Sequence, residues 1–273
     1  MARVASFRLK LDRAERHLKE LKDELAKYSE VRPYEARRNR EIDAQVYIYT
    51  AHLREKPPPV LGLIVGDFIH NVRSSLDHIA VALSPRSRKN KASFPIETDF
   101  IWERDVETAE YVEKFADKRA RWCSATKGIV QDPLAIIEGL QPYDRWQDPG
   151  THELRVIAAL DNADKHRELA VVTLGLLNAS TTISDPSGNS LFHQWTPGVL
   201  EDGAVVAAFP FADMRAEMDV HIHGAVHVGV KMAWTNPVGI LTIPDGLELL
   251  LNFVREMVIA PLEPFLTAKR SKV

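Results

Sequence analysis

The sequence predicts an α+β protein: a helical, bundle-like part, then a mostly antiparallel β-sheet, then a C-terminal helix. Three observations carry this expectation. Apolar residues recur every three or four positions over residues 7–29 and 59–84, the period of an amphipathic helix. From about 169 to 243, short β-type runs follow one another between Asp-Pro, Ser-Gly, Pro-Gly, Asp-Gly and Asn-Pro turns. A last helical stripe covers 245–260. Strands in series, rather than alternating with helices, point to α+β and away from α/β.

Composition narrows the class. The chain has 273 residues, of which 45% are apolar and 27% charged, as in ordinary globular proteins. That length suits one large domain or two small ones. The expected division is 1–168, mainly helical with a short β segment near 34–53, and 169–273, sheet plus C-terminal helix. One integrated domain is the alternative. A net charge of −3 excludes a global basic field, while local basic patches stay open. The single cysteine, Cys123, excludes an intramolecular disulfide and a cysteine-rich zinc site. It fits a reducing compartment, so a cytoplasmic location is expected. No apolar run approaches the roughly 18 residues that span a bilayer, and the N-terminus has no signal-peptide core. No membrane partner is expected.

The elements follow in order. Leu9, Leu11, Ala14, Leu18, Leu21 and Leu25 predict a first helix. "AQVYIYTAHL" alternates with the strand period of two, and "EKPPPV" then breaks the strand and can start a helix. Leu61, Val65, Phe68, Val72, Leu76, Ile79 and Leu83 form one continuous stripe on a central helix, residues 59–84. "SPRSRKNKASFPIETDF" reads as a basic loop, residues 104–127 as a charged helix, and "DPLAIIEGLQPY" as a short helix stopped by Gly139 and Pro142. Thr151 can cap a helix over 152 to about 163. About five or six strands then precede a helix with Leu247, Leu250, Leu251, Val254 and Val258 inward.

The central helix carries a polar insert, "HNVRSSLDH", residues 70–78. At about 100° per residue, His70, Arg73 and Asp77 fall within about 60° of one another, off the apolar stripe. Gly62, Gly66 and Ala80 flank that face and let another backbone approach closely. The simplest expectation is an Arg73–Asp77 i,i+4 pair with inert histidines. The functional expectation uses the same groups, since histidine exchanges protons near neutral pH and guanidinium matches phosphate.

The Arg73-x4-His78 spacing on a helix resembles the signature of HEPN-type helical domains. That resemblance implies metal-independent RNA cleavage or RNA binding, often across a homodimer. His78 would be the acid or base and Arg73 the phosphate clamp, with Asp77 or His70 orienting them. The residue after the arginine is Ser74, where the family commonly has a more strongly polar side chain, and the long β segment is not part of a minimal HEPN bundle. The same helix together with "NADKHREL" also resembles uncharacterised bacterial proteins, which implies no activity.

"DNADKHREL", residues 161–169, is a second cluster at a helix end or turn. Its groups can cap or terminate a helix. Alternatively, Lys165, His166 and Arg167 face the central helix and attract phosphate. A third expectation assembles His70, Asp77, Asp164 and His166 as ligands for zinc, manganese or iron, although no H-E-x-x-H or Glu-x-x-His motif is present. In "DVHIHGAVH", Asp219, His221 and His223 share one strand face, which suits a metal or a solvated sheet face equally. Cys123 has no base near it in sequence. No phosphate loop, nucleophile elbow or dinucleotide fingerprint occurs.

Three functions therefore compete: a HEPN-like RNA-cleaving or RNA-binding protein without cofactor, a metal-binding enzyme or sensor, and a non-catalytic interaction protein whose polar cluster is structural. His70, Arg73 and Asp77 are expected inside the protein or at a dimer interface, with at least one of them touching residues 161–167.

Overall fold

The computed structural model describes residues 5–43, 45–98, 109–144, 150–166, 169, 171–174, 180–184, 190–194, 202–210, 219–223, 227–235 and 239–268. The fold is α+β. Helix α1, Ser6–Glu30, leads into a hairpin of β1, Tyr34–Glu41, and β2, Val46–Leu53. Helix α2 runs unbroken over Pro59–Leu83, with a proline in its first turn where no N–H is needed. A 3-10 turn, Arg86–Lys91, follows; then come α3, Ala109–Thr126, α4, Gln131–Gly139, and α5, Glu153–His166.

The α2 stripe is core as expected: Leu61, Val65, Phe68, Val72, Leu76, Ile79 and Leu83 are all buried. They pack against α1, whose buried face is Phe7, Leu11, Ala14, Leu18, Leu21 and Tyr28. Leu9 departs from expectation and is exposed. It sits two residues from both Phe7 and Leu11, about 200° round the helix, so it cannot share their face.

Among the described residues, the β segment is not one sheet. The described strands are β3, Val171–Leu174, β4, Ser180–Ser184, β5, Ser190–Gln194, β6, Val205–Pro210, β7, Asp219–His223, β8, His227–Met232, and β9, Gly239–Ile243. They divide among three antiparallel sheets ordered β1-β2-β6, β3-β8-β9 and β5-β4-β7. Strand β6 leaves its sequence neighbours to pair with β2, and Tyr47 faces Phe209 in that register. In β8, Val228, Val230 and Met232 turn inward while Lys231 is exposed. This sheet meets α2 through β3 and the C-terminal helix through β9.

The C-terminal helix extends past the expected end near 260. It comprises α6, Asp245–Phe253, a π-helical segment, Val254–Ile259, and α7, Ala260–Ala268. Pro261 and Pro264 lie in α7. Proline lacks an N–H, and its ring collides with the carbonyl four residues back in α geometry. In the wider π turn just before Pro261, the Ala260 N–H bonds to the Arg255 carbonyl, five residues back. This lets the helical path continue. Leu247, Leu250, Leu251, Val254 and Val258 are buried, as their spacing predicts.

Candidate functional site

The polar insert of α2 splits between two neighbours. At its C-terminal end, Arg73 Nη2 donates to Asp77 Oδ1 at 2.9 Å and to the Phe94 carbonyl at 2.9 Å. The Phe94 N–H donates to the same Asp77 oxygen at 2.9 Å. Both backbone groups of Phe94 are thereby held, and its ring is buried in the core. The Arg73 side chain is 18% exposed, and its Nη1 is enclosed without a hydrogen bond. The pair clasps the segment after the 3-10 turn onto α2. A guanidinium so engaged is not presented to a phosphate.

His78 is partly buried, and its Nδ1 is enclosed with no hydrogen-bond partner. An imidazole acting as acid or base is normally oriented through its second nitrogen. His78 lacks that support.

At the N-terminal end of the insert the arrangement is different. His70 Nδ1 lies 3.3 Å from Asp161 Oδ1 on α5. The His70 side chain is 53% exposed, so of the two settings expected for it, inside the protein or at a dimer interface, the first does not hold, while Asp161 is 6% exposed. The other Asp161 oxygen accepts from Lys165 one turn later. A buried carboxylate thus holds an exposed imidazole, an arrangement that fixes its tautomer and orientation. The expected contact between the insert and residues 161–167 is this His70–Asp161 bond.

The close approach of α5 and of the chain just after it depends on the glycines of α2. A Cβ at Gly66 would stand 2.6 Å from Asp164 Cγ, and one at Gly62 would stand 3.1 Å from the Leu169 carbonyl oxygen. Asp164 is consequently pressed against α2. Burial first, then the nearby Asp67 and Asp161 charges, push its carboxyl above the usual value, with His70 and Lys165 opposing.

Residues 161–166 are the last turns of α5, beyond the expected end near 163. Lys165 and His166 are exposed there, where positive charge also suits the helix C-terminus. Arg167 lies outside the described residues. The expected metal quartet His70, Asp77, Asp164 and His166 is not brought together. Among the described residues no three His, Cys, Asp or Glu side chains converge on a point. His70 and Asp77 are seven residues apart on one helix, about 10 Å along its axis, and Asp77 is held by Arg73 and Phe94. Asp219, His221 and His223 alternate along β7, opposite Ser184, Thr182 and Ser180 of β4. No described helix is long and apolar enough to cross a membrane.

Sequence reasoning placed Asp161 in the second cluster but missed it as the partner of His70. The available signal was the Asp161/Lys165 i,i+4 spacing, which marks a carboxylate already neutralised within its own helix. It also missed the backbone of Phe94, which has no side-chain signature. No protein-family model, curated protein or solved structure matches this chain.

Proposed function

We propose that this protein binds RNA and carries metal-independent acid–base chemistry on it at the α2–α5 face, through His70 rather than His78. The observation that carries this reading is the half-exposed His70 imidazole bonded at 3.3 Å to the buried Asp161 carboxylate. His70 would take the proton of a ribose 2′-hydroxyl through its free nitrogen. The oxygen then attacks the adjacent phosphorus, and the departing 5′-oxygen takes a proton from water. Asp161 stabilises the imidazolium that forms. Lys165 supplies neighbouring positive charge for the phosphate, and the exposed His166 a further hydrogen-bonding group.

The test is cleavage of a labelled single-stranded RNA in the presence of a chelator. His70→Ala should lower the rate at least about a hundredfold, the lower bound for losing a general base. Its melting temperature should stay near wild type because the side chain is half exposed. His78→Ala should cleave as wild type does. A wild-type protein that leaves the RNA intact, or a His70→Ala variant of full activity, overturns the reading.

A second reading is favoured by the Arg73–Asp77–Phe94 clasp, in which two members of the polar cluster serve packing alone. Under it the protein is a non-catalytic interaction protein, and neither histidine variant changes any RNA signal.

A further inference from the structure

The chain carries more acids than bases, 38 against 35. Two runs depart from that balance. Residues 78–96 hold Arg86, Arg88, Lys89 and Lys91 and no Asp or Glu. Residues 118–131 hold Lys118, Arg119, Arg121 and Lys127 and again no Asp or Glu. The fold brings the two runs together. Arg88 Nη2, in the 3-10 turn, donates to the Ser124 carbonyl of α3 at 2.8 Å and lies 3.5 Å from the Ser124 hydroxyl. Pro85, just before the turn, meets Gly128, just after α3. A Cβ on Gly128 would stand 2.8 Å from Pro85 Cγ, and the φ of +85° there also favours glycine.

Arg88 has a structural reason to be where it is. The Ser124 carbonyl is among the last four of α3, which lack an intrahelical donor, and a cation suits that end of a helix. The same account extends to Lys127, but not to Arg86, Lys89 and Lys91, nor to Arg121, more than a turn before the helix end. Arg86, Lys89, Lys91, Arg121 and Lys127 are exposed, and among the described residues none of the five is ion-paired. Like charges gathered in this way repel one another, which an anionic partner relieves. The turn is also held on both sides, by Pro85 against Gly128 and by the Arg73–Asp77 clasp on Phe94. A surface fixed beforehand loses less conformational freedom on binding.

We infer that the surface formed by Arg86–Lys91 and the C-terminal end of α3 binds the phosphate backbone of a nucleic-acid duplex. Phosphate contacts alone support binding without sequence preference. The aromatic residues of the two runs, Phe94 and Trp122, are buried, so the surface has no ring on which the bases of a single strand could stack. Ser87 and Asn90 are exposed between the cations, and hydroxyl and amide groups join Lys and Arg in contacts to phosphate. Arg86–Lys91 carries no apolar side chain that could enter a bilayer. His70 lies about 20 Å back along the α2 axis from its C-terminal end. The inference therefore concerns a different surface and rests on nothing assigned to His70.

The experiment uses the full chain and a labelled DNA duplex of about 16 base pairs, the span of a domain that reads duplex shape. Its sugars lack the 2′-hydroxyl, so binding is read apart from RNA cleavage. Fluorescence anisotropy should show binding that weakens with salt and is no weaker than for either single strand. Arg86→Ala/Lys89→Ala/Lys91→Ala should reduce the salt slope by about 2.7, three phosphate contacts at about 0.9 each. Arg121→Glu, on the other run, should also weaken binding, and carries the test if the triple variant melts early. Cys123 is exposed, is the single cysteine of the chain, and adjoins Ser124. Saturating duplex should slow its alkylation by a maleimide. Wild-type protein that ignores the duplex or prefers a single strand overturns the inference. So do variants that keep the wild-type affinity and salt slope, or a Cys123 that is alkylated at an undiminished rate. Capture by anionic lipid vesicles without duplex binding would assign the surface to a membrane and equally overturn it. Duplex binding without RNA cleavage supports this inference while defeating the His70 reading, and cleavage without duplex binding does the reverse.

Discussion

Glu15 and Arg255 form an ion pair at 3.0 Å that joins α1 to the π-helical segment. It is the middle rung of three, between Arg8–Glu263 and Lys22–Glu248. The rungs fall at 8, 15 and 22 on α1, evenly seven apart. On the C-terminal helix they fall at 248, 255 and 263, seven and then eight apart. The extra residue lies in the interval that contains most of the π segment, whose wider turn absorbs it. The two helices therefore stay in register, antiparallel, over the whole ladder.

These rungs are solvent-exposed, so each contributes little. Glu15→Ala or Arg255→Ala should lower stability by about 0.2–1 kcal/mol, an effect that fades in about 1 M salt. Inserting one alanine between Arg16 and His17 should be far worse, because it turns the buried Leu18 and Leu21 by about 100°. Urea denaturation at two salt concentrations separates the two outcomes.

The Phe94 clasp predicts shared energetics. Arg73→Ala leaves the Phe94 carbonyl and the Asp77 carboxylate short of a donor in a partly buried place. The expected loss is on the order of 1–3 kcal/mol. Asp77→Ala strands Arg73 and the Phe94 N–H in the same way. The double variant should lose less than the two single losses together, since both act on one segment. Full additivity in a denaturation cycle would show that the clasp is not one unit.

Gly66→Ala should destabilise the protein by driving a methyl group into the Asp164 carboxyl. Combining it with Asp164→Ala removes the obstacle and should recover much of the loss. Thermal melts of the four proteins check this. An equal loss with and without Asp164 would place the cost elsewhere on α2.

Asp164 also predicts a pH dependence. Its folded carboxyl is raised above the ordinary value of 3.8, chiefly by burial. The folded state therefore holds this proton more tightly than the unfolded state. The resulting stability is fully present below the unfolded value and is lost as pH rises through the raised folded value. Asp164→Asn, which keeps the shape without the charge, should gain stability relative to wild type as pH climbs through that window. Melting curves from about pH 3.5 to 7, spanning the ordinary carboxylate value, test the sign. A gap between variant and wild type that is constant with pH would refute it.

The helices and, apart from the exposed Leu9, their inward faces are legible in the sequence. The α2 stripe from Leu61 to Leu83 and the α6 stripe from Leu247 are local patterns, because helical periodicity is set by neighbours three and four residues away. Most strand positions were also legible, since alternation and turn residues are local signals, but seven strands are described where about five or six were expected, because β7 and β8 follow closely and join different sheets. Which strands pair is settled by contacts distant in sequence. Strand β6 crosses to β2, so three sheets form where one was expected, and no single strand records its partner. The same limit governs the sites. Gly62 and Gly66 announced a close neighbour, and at least one of His70, Arg73 and Asp77 was expected to meet the 161–167 cluster, but that His70 does so, from a half-exposed position, was not legible. Arg73 found the backbone of Phe94, a partner every residue type presents alike. The run Arg86–Lys91 read as a basic loop, but its place beside the acid-free end of α3 was not legible, because the Arg88–Ser124 bond joins residues far apart in the chain.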